Sequence, residues 1–188
     1  MRSFTDNKHS YINGQKFVLL SDKIFIANLP VNEFKKISCK NYKVLKENNN
    51  LVTFKSKNLN LSSGDIVYCS ANHVELFFHY LKQHKNLKHI ILISGQSDRS
   101  INRKVFKKMP SNIIKWYSTN IDYKHKKLIP IPLGIANDYS PKNIREKDFS
   151  KFNNKSHDKL ENLYINLQKN TNSSERNNVY QLFNNENW

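Results

Sequence analysis

The sequence predicts an α/β fold built on a largely parallel sheet, and two observations carry this prediction. Short apolar runs recur along the chain, at residues 66–70, 89–94 and 113–118. Segments with helical patterns lie between them, at 73–84 and 101–109. Strands that alternate with helices are typical of an α/β domain whose sheet is mostly parallel.

The elements before residue 70 are predicted from short apolar runs and turn residues. Residues 16–29 are expected to form one or two strands around the turn Ser21-Asp22-Lys23. The alternating run LVTFK at 51–55 predicts a further strand. A turn at Gly64-Asp65 then precedes the apolar run IVYCS at 66–70.

A helix is predicted at 73–84 because its apolar residues recur at helical spacing. The apolar face consists of Val74, Phe77, Phe78 and Leu81. Asn72 is the expected N-cap, and Glu75 stands three residues later, as in a capping box.

The continuous apolar run HIILIS at 89–94 suits a strand buried on both faces. Ser100 is the expected cap of a basic helix that ends at Pro110. Strands are then predicted at 113–118 and 128–133. The prolines of the last run place it at the edge of the sheet or at the end of a strand.

A second unit is predicted towards the end of the chain. The run NLYINL at 162–167 predicts a strand, and a helix follows it with Asn172 as N-cap and Glu175 at the third position. The predicted organisation is a Rossmann-like domain at 1–137, a linker at 138–160 and the first β-α of a truncated second α/β domain at 161–188.

The composition leaves two interpretations of the charge open. The formal net charge is +16 and the pI is about 9.8. This charge favours a polyanionic partner. It also fits a chain that is rich in Lys and Asn throughout.

Two cysteines do not predict a disulfide framework or a zinc site. Cys69 lies in an apolar run and is expected in the core. Apolar runs are shorter than the roughly 20 residues that a transmembrane helix needs. The N-terminus lacks the apolar run of a signal peptide. We therefore expect a cytoplasmic protein without a transmembrane segment, with peripheral membrane association as the alternative.

Polar residues follow each of the predicted parallel strands, where ligands bind in open α/β sheets. The candidates for a sugar or nucleotide site are Ser70, Asn72, His73, Ser97, Asp98, Asn120, Gly134 and Asn137. Asp98 is the candidate general base, and helix capping is its alternative role. His73 is a second catalytic candidate because its ordinary pKa lies near neutrality. It could equally form the first turn of a helix.

A hydroxyl-rich turn enters the last predicted helix. Its candidates for phosphate binding are Thr171, Asn172, Ser174 and Arg176. Free N–H groups at a helix start and an arginine both suit a phosphate. An ordinary capping box explains the same residues. The sequence carries neither a P-loop nor a G-x-G-x-x-G motif, and no metal-spaced cluster. No cofactor or metal is therefore expected.

The order of four motifs resembles that of exostosin-like, two-domain glycosyltransferases of bacteria and large DNA viruses. The motifs are Gln96-Ser97-Asp98 followed by Ile101, then Lys115-Trp116-Tyr117 with Asn120, then Leu128 to Asn137, then Thr171-Asn172 with Glu175 and Arg176. The resemblance covers residues 64–188. Gly95-Gln96 stands where the family pattern has His-Asn.

The resemblance implies a GT-B-type enzyme that transfers a sugar from a nucleotide sugar to a glycan acceptor without a bound metal. It assigns Asp98 as the base, Asn120 and Asn137 as sugar or acceptor contacts, and the 171–174 turn with Arg176 as the diphosphate site. Because the chain stops near the start of the second domain, it also implies a partner that supplies the rest. An acceptor-binding half and an inactive fragment are the alternatives.

A basic module that binds single-stranded nucleic acid is the alternative function. It depends on the net charge of +16 and on exposed stacking aromatics. Trp116, Tyr117 and Tyr123, next to Lys124–Lys127, are the predicted stacking residues.

Overall fold

The structure is a computed structural model that describes residues 12–134 and 173–184. The chain divides into two compact units, Met1–Ser150 and Lys151–Trp188. The boundary between them lies inside the stretch expected to be a linker.

Nine strands and four helices are described in the first unit. The strands are β1 (Lys23–Pro30), β2 (Tyr42–Glu47), β3 (Leu51–Ser56), β4 (Ile66–Ser70), β5 (Ile90–Gly95), β6 (Ile101–Asn102), β7 (Ile113–Ser118), β8 (Ile121–Asp122) and β9 (Leu128–Pro130). The helices are α1 (Gly14–Leu20), α2 (Val31–Lys36), α3 (Val74–Gln83) and α4 (Arg103–Phe106). Short 3-10 turns occupy Cys39–Asn41 and Ala71–His73.

The main sheet has seven strands in the order β2-β3-β1-β4-β5-β7-β9. Strands β1, β4, β5, β7 and β9 are parallel, and the β2–β3 hairpin pairs antiparallel to β1 at one side. This confirms the α/β fold with a largely parallel, Rossmann-like sheet. Because the parallel strands run the same way, the loops after β4, β5 and β7 emerge at one edge. The end of the sheet from which these loops emerge is called the carboxyl edge here, because the carboxyl ends of the parallel strands lie there. The opposite end, where the parallel strands begin, is called the amino edge.

Two apolar clusters cover the two faces of the sheet. Alternate residues of β4 enter different clusters, since Val67 belongs to one and Tyr68 to the other. Helix α3 packs against the first face through the apolar residues that the periodicity predicted. Trp116 of β7 and Cys69 of β4 are fully buried in that cluster. Burial raises the pKa of Cys69, which confirms its place in the core.

The prediction of strands throughout 16–29 was wrong in its first half. Residues 14–20 form α1, and its start is capped by the Asn13 side chain, which accepts a hydrogen bond from the Lys16 N–H at 2.9 Å. A four-residue apolar run cannot distinguish a helix from a strand, so the capping residue was the better signal. Helix α2 and strand β2 were not predicted. Strand β2 is exposed along most of its length and lacks an alternating pattern.

Both predicted helix caps in the middle of the chain were wrong. Asn72 lies in a 3-10 turn, and His73 occupies the N-cap position of α3 without a side-chain capping bond. Ser100 is followed by the two-residue strand β6, and Asn102 caps α4 by accepting from the Val105 N–H at 3.1 Å. Asn72 instead accepts a hydrogen bond from the Ser97 hydroxyl in the loop after β5.

Strand β9 is the outermost strand on one side of the sheet, as its prolines predicted. It ends at Pro130, three residues earlier than the predicted strand. The Ile131 N–H still donates to the Ser118 carbonyl at 3.0 Å.

In the second unit the structure describes one helix, α5 (Ser173–Asn184). Its first residue agrees with the predicted helix start. The strand predicted at 162–167 and the cap Asn172 lie outside the described residues. Within the described parts of the chain, no helix combines the length and apolar character required to cross a bilayer.

Candidate functional site

Three loops at the carboxyl edge are joined by side-chain hydrogen bonds. The Ser97 hydroxyl, after β5, donates to Asn72 Oδ1, after β4, at 2.6 Å. The same hydroxyl accepts from the Arg99 N–H at 3.0 Å, and Arg99 Nη1 donates to the Asn72 carbonyl at 3.2 Å. The loops after β4 and β5 therefore hold each other in place.

Asn120 connects the loop after β7 to the same cluster. Its Nδ2 donates to the Ser97 carbonyl at 2.8 Å, and its own carbonyl accepts from the Ile101 N–H at 2.9 Å. Asn120 has a φ of 52°, in the left-handed region that asparagine tolerates better than most residues. Three of the predicted site residues, from three different loops, thus meet at one place.

Gln96 fixes the start of the central loop. It has a φ of 57°, which is uncommon for a residue with a side chain. Its amide accepts from the Asn28 N–H at 2.9 Å and donates to the Asn28 carbonyl at 2.7 Å. The Asn28 side chain accepts from Thr53 Oγ1 at 2.7 Å, so the loop is tied to β1 and β3 as well. Strained backbone held in this way clusters at functional sites.

Glu75 forms ion pairs with two cationic side chains, one of which, Arg99, belongs to the cluster. Its two carboxylate oxygens bind Arg99 and Lys108 separately. The hydrogen bond from Lys108, followed by the one from Arg99, lowers the pKa of Glu75 against the opposing effect of burial. The carboxylate therefore stays ionised and anchors Arg99 to α3.

His73 lies beside this anchor at the start of α3 and is half-buried. Burial and, to a lesser extent, the charge of Arg99 lower the pKa of His73 from its ordinary 6.5. Its Nδ1 is buried without a hydrogen-bond partner among the described residues. The ring is therefore neutral at pH 7 and can accept a proton.

Asp98 is exposed between Ser97 and Arg99, at the tip of the central loop. No hydrogen bond or ion pair joins its carboxylate to the described residues, so it does not cap the following helix. Its position suits a group that meets a ligand from solvent.

Two buried hydroxyls lie beside Gly95 at the end of β5. A Cβ added to Gly95 would lie 3.5 Å from the Tyr68 hydroxyl and 3.6 Å from Thr119 Oγ1. Within residues 12–134 and 173–184, neither hydroxyl oxygen has a hydrogen-bond partner. Burial is the main cause that raises the pKa of Tyr68, so its hydroxyl keeps its proton. Ser70, another predicted site residue, is buried on β4 directly opposite Gly95.

The remaining predicted site residues are not brought to this cluster by the described contacts. Gly134 has a φ of 75°, and a Cβ there would overlap the Ile12 carbonyl, so a glycine is required for packing. Ser174 and Arg176 lie in the first turn of α5, in the second unit. The other predicted residues, Asn137, Thr171 and Asn172, lie outside the described residues.

The prediction of an exposed Trp116 was wrong. The indole is fully buried, and its N–H donates to Ser94 Oγ at 2.8 Å. Tyr123 is half-buried and packs against Phe106, with ring centroids 5.3 Å apart. Its position near lysines suggested that Trp116 is exposed. Because successive side chains of β7 alternate between the two faces of the sheet, Trp116 instead lies in the core.

Sequence reasoning missed several residues that build the site, namely Asn28, Thr53, Tyr68, and Glu75 in its ion pairs. One signal was available, because Asn28 is a polar residue in an otherwise apolar strand. The partners of Glu75 are 24 and 33 residues away along the chain and give no local pattern.

The described residues contain no group of three or more His, Cys, Asp or Glu side chains that could hold a metal ion. No protein-family model matches the chain, and a search of curated proteins finds no significant relative.

Proposed function

We propose that the protein is glycosyltransferase-like and acts on a nucleotide sugar and a glycan acceptor at the carboxyl edge. The observation that carries the proposal is the hydrogen-bonded junction of Asn72, Ser97 and Asn120, three residues that the sequence predicts as ligand contacts. The exostosin-like order of motifs supports the same reaction. Loops at the carboxyl ends of parallel strands are also where α/β proteins bind such ligands.

In the proposed reaction an acceptor hydroxyl attacks C1 of the donor sugar. The new C1–O glycosidic bond forms as the bond from C1 to the diphosphate breaks, and the nucleoside diphosphate leaves with that electron pair. The hydroxyl proton passes to a general base. The protein must therefore supply a base, contacts to sugar hydroxyls and cations for the diphosphate.

Two groups suit the role of base in different ways. The exposed carboxylate of Asp98 can receive a proton directly from an acceptor that enters from solvent. His73 is neutral at pH 7 because burial and Arg99 lower its pKa. We assign the proton transfer to Asp98, with His73 as the second candidate.

The hydroxyls of Tyr68 and Thr119 suit a polyhydroxylated ligand. Buried polar atoms almost always have a hydrogen-bond partner. These two hydroxyl oxygens, both close to Gly95, have none among the described residues. A sugar hydroxyl or an ordered water would satisfy both. Asn120 at the same edge adds an amide contact.

Within the second unit, taken by itself, the first turn of α5 is proposed to contact phosphate through Ser174 and Arg176. Arginine binds phosphate through paired, charge-assisted hydrogen bonds. A cytoplasmic location, with peripheral membrane association as the alternative, fits this function.

Donor binding and turnover by the 188-residue chain test the proposal. Calorimetric titration with UDP-sugars and GDP-sugars should show binding, and donor consumption should depend on an oligosaccharide acceptor. Asp98→Asn should leave donor binding unchanged and lower turnover by about 10²–10⁴-fold, the usual contribution of a general base. Asp122→Asn, which removes an exposed carboxylate from β8, is the matched control.

A second variant tests the role of the Tyr68 and Thr119 hydroxyls beside Gly95. The nearest atoms to a new Cβ are in ordinary van der Waals contact, so Gly95→Ala should fold normally. The methyl group would occupy the space next to the Tyr68 and Thr119 hydroxyls and weaken sugar binding. If no nucleotide sugar binds to the wild-type chain, the proposed function is wrong. If Asp98→Asn turns over normally, the assignment of the base is wrong.

A further inference from the structure

A groove of about 430 Å³ lies at the amino edge of the sheet, away from the site above. It is formed where β1 and β2 begin and β3 ends. Its lining residues are Asp22, Lys23, Ile24, Lys40, Asn41, Tyr42, Ser56, Lys57, Asn58, Leu59 and Asn60. A volume of this size suits a small ligand.

Three lysines, Lys23, Lys40 and Lys57, line the groove. In the described part of the chain, none of them forms an ion pair. The Asp22 carboxylate also lines the groove, where its Oδ2 accepts from the Ile66 N–H at 2.9 Å. Its single negative charge offsets only one of the three ammonium groups, so the lining keeps a net positive charge.

Three asparagines, Asn41, Asn58 and Asn60, add carboxamides to the same lining. No described residue forms a hydrogen bond with their side chains. The walls are joined by backbone, because the Lys57 N–H donates to the Asn41 carbonyl at 3.0 Å. The Ser56 hydroxyl donates to the Ile24 carbonyl at 2.6 Å and fixes the floor. The groove is thus built by the fold and offers both ammonium and amide groups.

Protection of a sheet edge explains some of the lysines in this region, but not these three. Lysines on an exposed edge strand prevent pairing with other chains. Lys43 and Lys46 lie on edge strand β2 and serve that purpose. Lys23 lies on the interior strand β1, Lys40 lies in the 3-10 turn that precedes β2, and Lys57 lies beyond the end of β3. Their convergence on a groove needs another reason.

We propose that this groove binds the phosphate group of a small polyhydroxylated ligand. Ammonium groups compensate the phosphate charge, and the carboxamides accept and donate hydrogen bonds to hydroxyls. The phosphate can belong to a soluble phosphorylated sugar or to a phosphorylated inositol headgroup of a lipid. Both share the chemistry that the groove recognises.

Amide NMR of the full-length chain tests the proposal. Glucose 6-phosphate and inorganic phosphate should shift the amide signals of residues 40–42 and 56–60, whereas glucose should not. Lys40→Gln combined with Lys57→Gln should weaken binding at least about tenfold, and added salt should weaken it further, because the contacts are electrostatic. Lys104→Gln combined with Lys107→Gln removes the same charge from exposed positions elsewhere and is the control.

Four outcomes would overturn the proposal. They are scattered shifts, equal shifts with glucose, equal weakening by the control pair, and no binding of either a soluble phosphate or a lipid. Co-sedimentation with phosphatidylcholine vesicles, with and without phosphatidylinositol 4-phosphate, distinguishes the two sources of phosphate. The double variant Lys40→Gln, Lys57→Gln should still bind UDP-sugars as the wild type does. If the groove binds no phosphate, the proposed transferase function is therefore unaffected.

Discussion

The two edges of one sheet use polar residues in opposite ways. At the carboxyl edge, Asn72, Ser97 and Asn120 bind one another and leave the loops fixed. At the amino edge, Lys40 and Lys57 line a groove and have no acidic partner among the described residues. A reaction needs atoms held in place, whereas capture of an anion needs mainly charge and space. The fixed loops of the carboxyl edge therefore suit the proposed reaction, and the positively charged groove of the amino edge suits the proposed binding of an anion.

The comparison predicts that substitutions at the carboxyl edge cost stability and that those at the amino edge do not. Below the carboxyl edge, the Ser94 hydroxyl connects β5 to β7, at 2.6 Å from Ser118 Oγ and 2.8 Å from Trp116 Nε1. All three residues are fully buried. This buried network carries the largest expected effect.

Ser94→Ala should lower the free energy of unfolding by about 2–3 kcal/mol, because it leaves the Trp116 N–H buried and unsatisfied. Urea denaturation followed by tryptophan fluorescence measures this loss. Ser111→Ala, at an exposed serine, should stay within about 0.5 kcal/mol of the wild type. A neutral Ser94→Ala would mean that the network adds nothing to the rigidity of this edge.

The Glu75 anchor should give the next largest effect. Glu75→Gln removes the charge that binds Arg99 and Lys108, and a loss of about 1 kcal/mol is expected for a partly exposed pair of contacts. Amide hydrogen exchange should accelerate in the loop at 96–99, which Arg99 helps to hold.

Glu33→Gln is the control, since Glu33 binds Lys36 at 2.6 Å in a local pair within helix α2 whose lysine is largely exposed. It should cost less than about 0.5 kcal/mol, as exposed pairs three residues apart usually do. Equal losses in both variants would show that the carboxyl-edge anchor is an ordinary surface ion pair.

A smaller effect is expected from the titration of His73. Its pKa is lowered in the folded protein by burial and by Arg99, so the unfolded chain binds more protons as the pH falls below 6.5. The free energy of unfolding should therefore decline as the pH falls from 6.5 through the lowered pKa. Urea titrations between pH 7.5 and pH 5 measure this slope.

His73→Gln should reduce the slope, whereas His79→Gln, on the exposed side of the same helix, should keep it. The same slope in both variants would mean that the buried ring of His73 does not titrate within this range.

The fold was largely predictable because local patterns specify buried strands and amphipathic helices. The predicted runs at 66–70, 89–94 and 113–118 correspond to β4, β5 and β7, with β5 shifted by one residue. The edges were less predictable, because their chemistry depends on partners far apart in sequence. Asn28 and Gln96 meet across 68 residues. Lysines that are far apart in sequence also converge only in the fold, where Lys40 and Lys57 line the same groove.

The smallest expected effect, a gain in stability, is predicted near the amino edge. Lys43 and Lys55 stand directly opposite each other on β2 and β3, and both are exposed. Like charges in this position are unfavourable, so Lys43→Glu should raise the free energy of unfolding by about 0.2–1 kcal/mol. Lys46→Glu, opposite Thr53, should gain less, and salt should reduce the difference between the two. A loss of stability in Lys43→Glu would show that the lysines support the hairpin itself. A gain would mean that folding alone does not favour lysine at both of these positions.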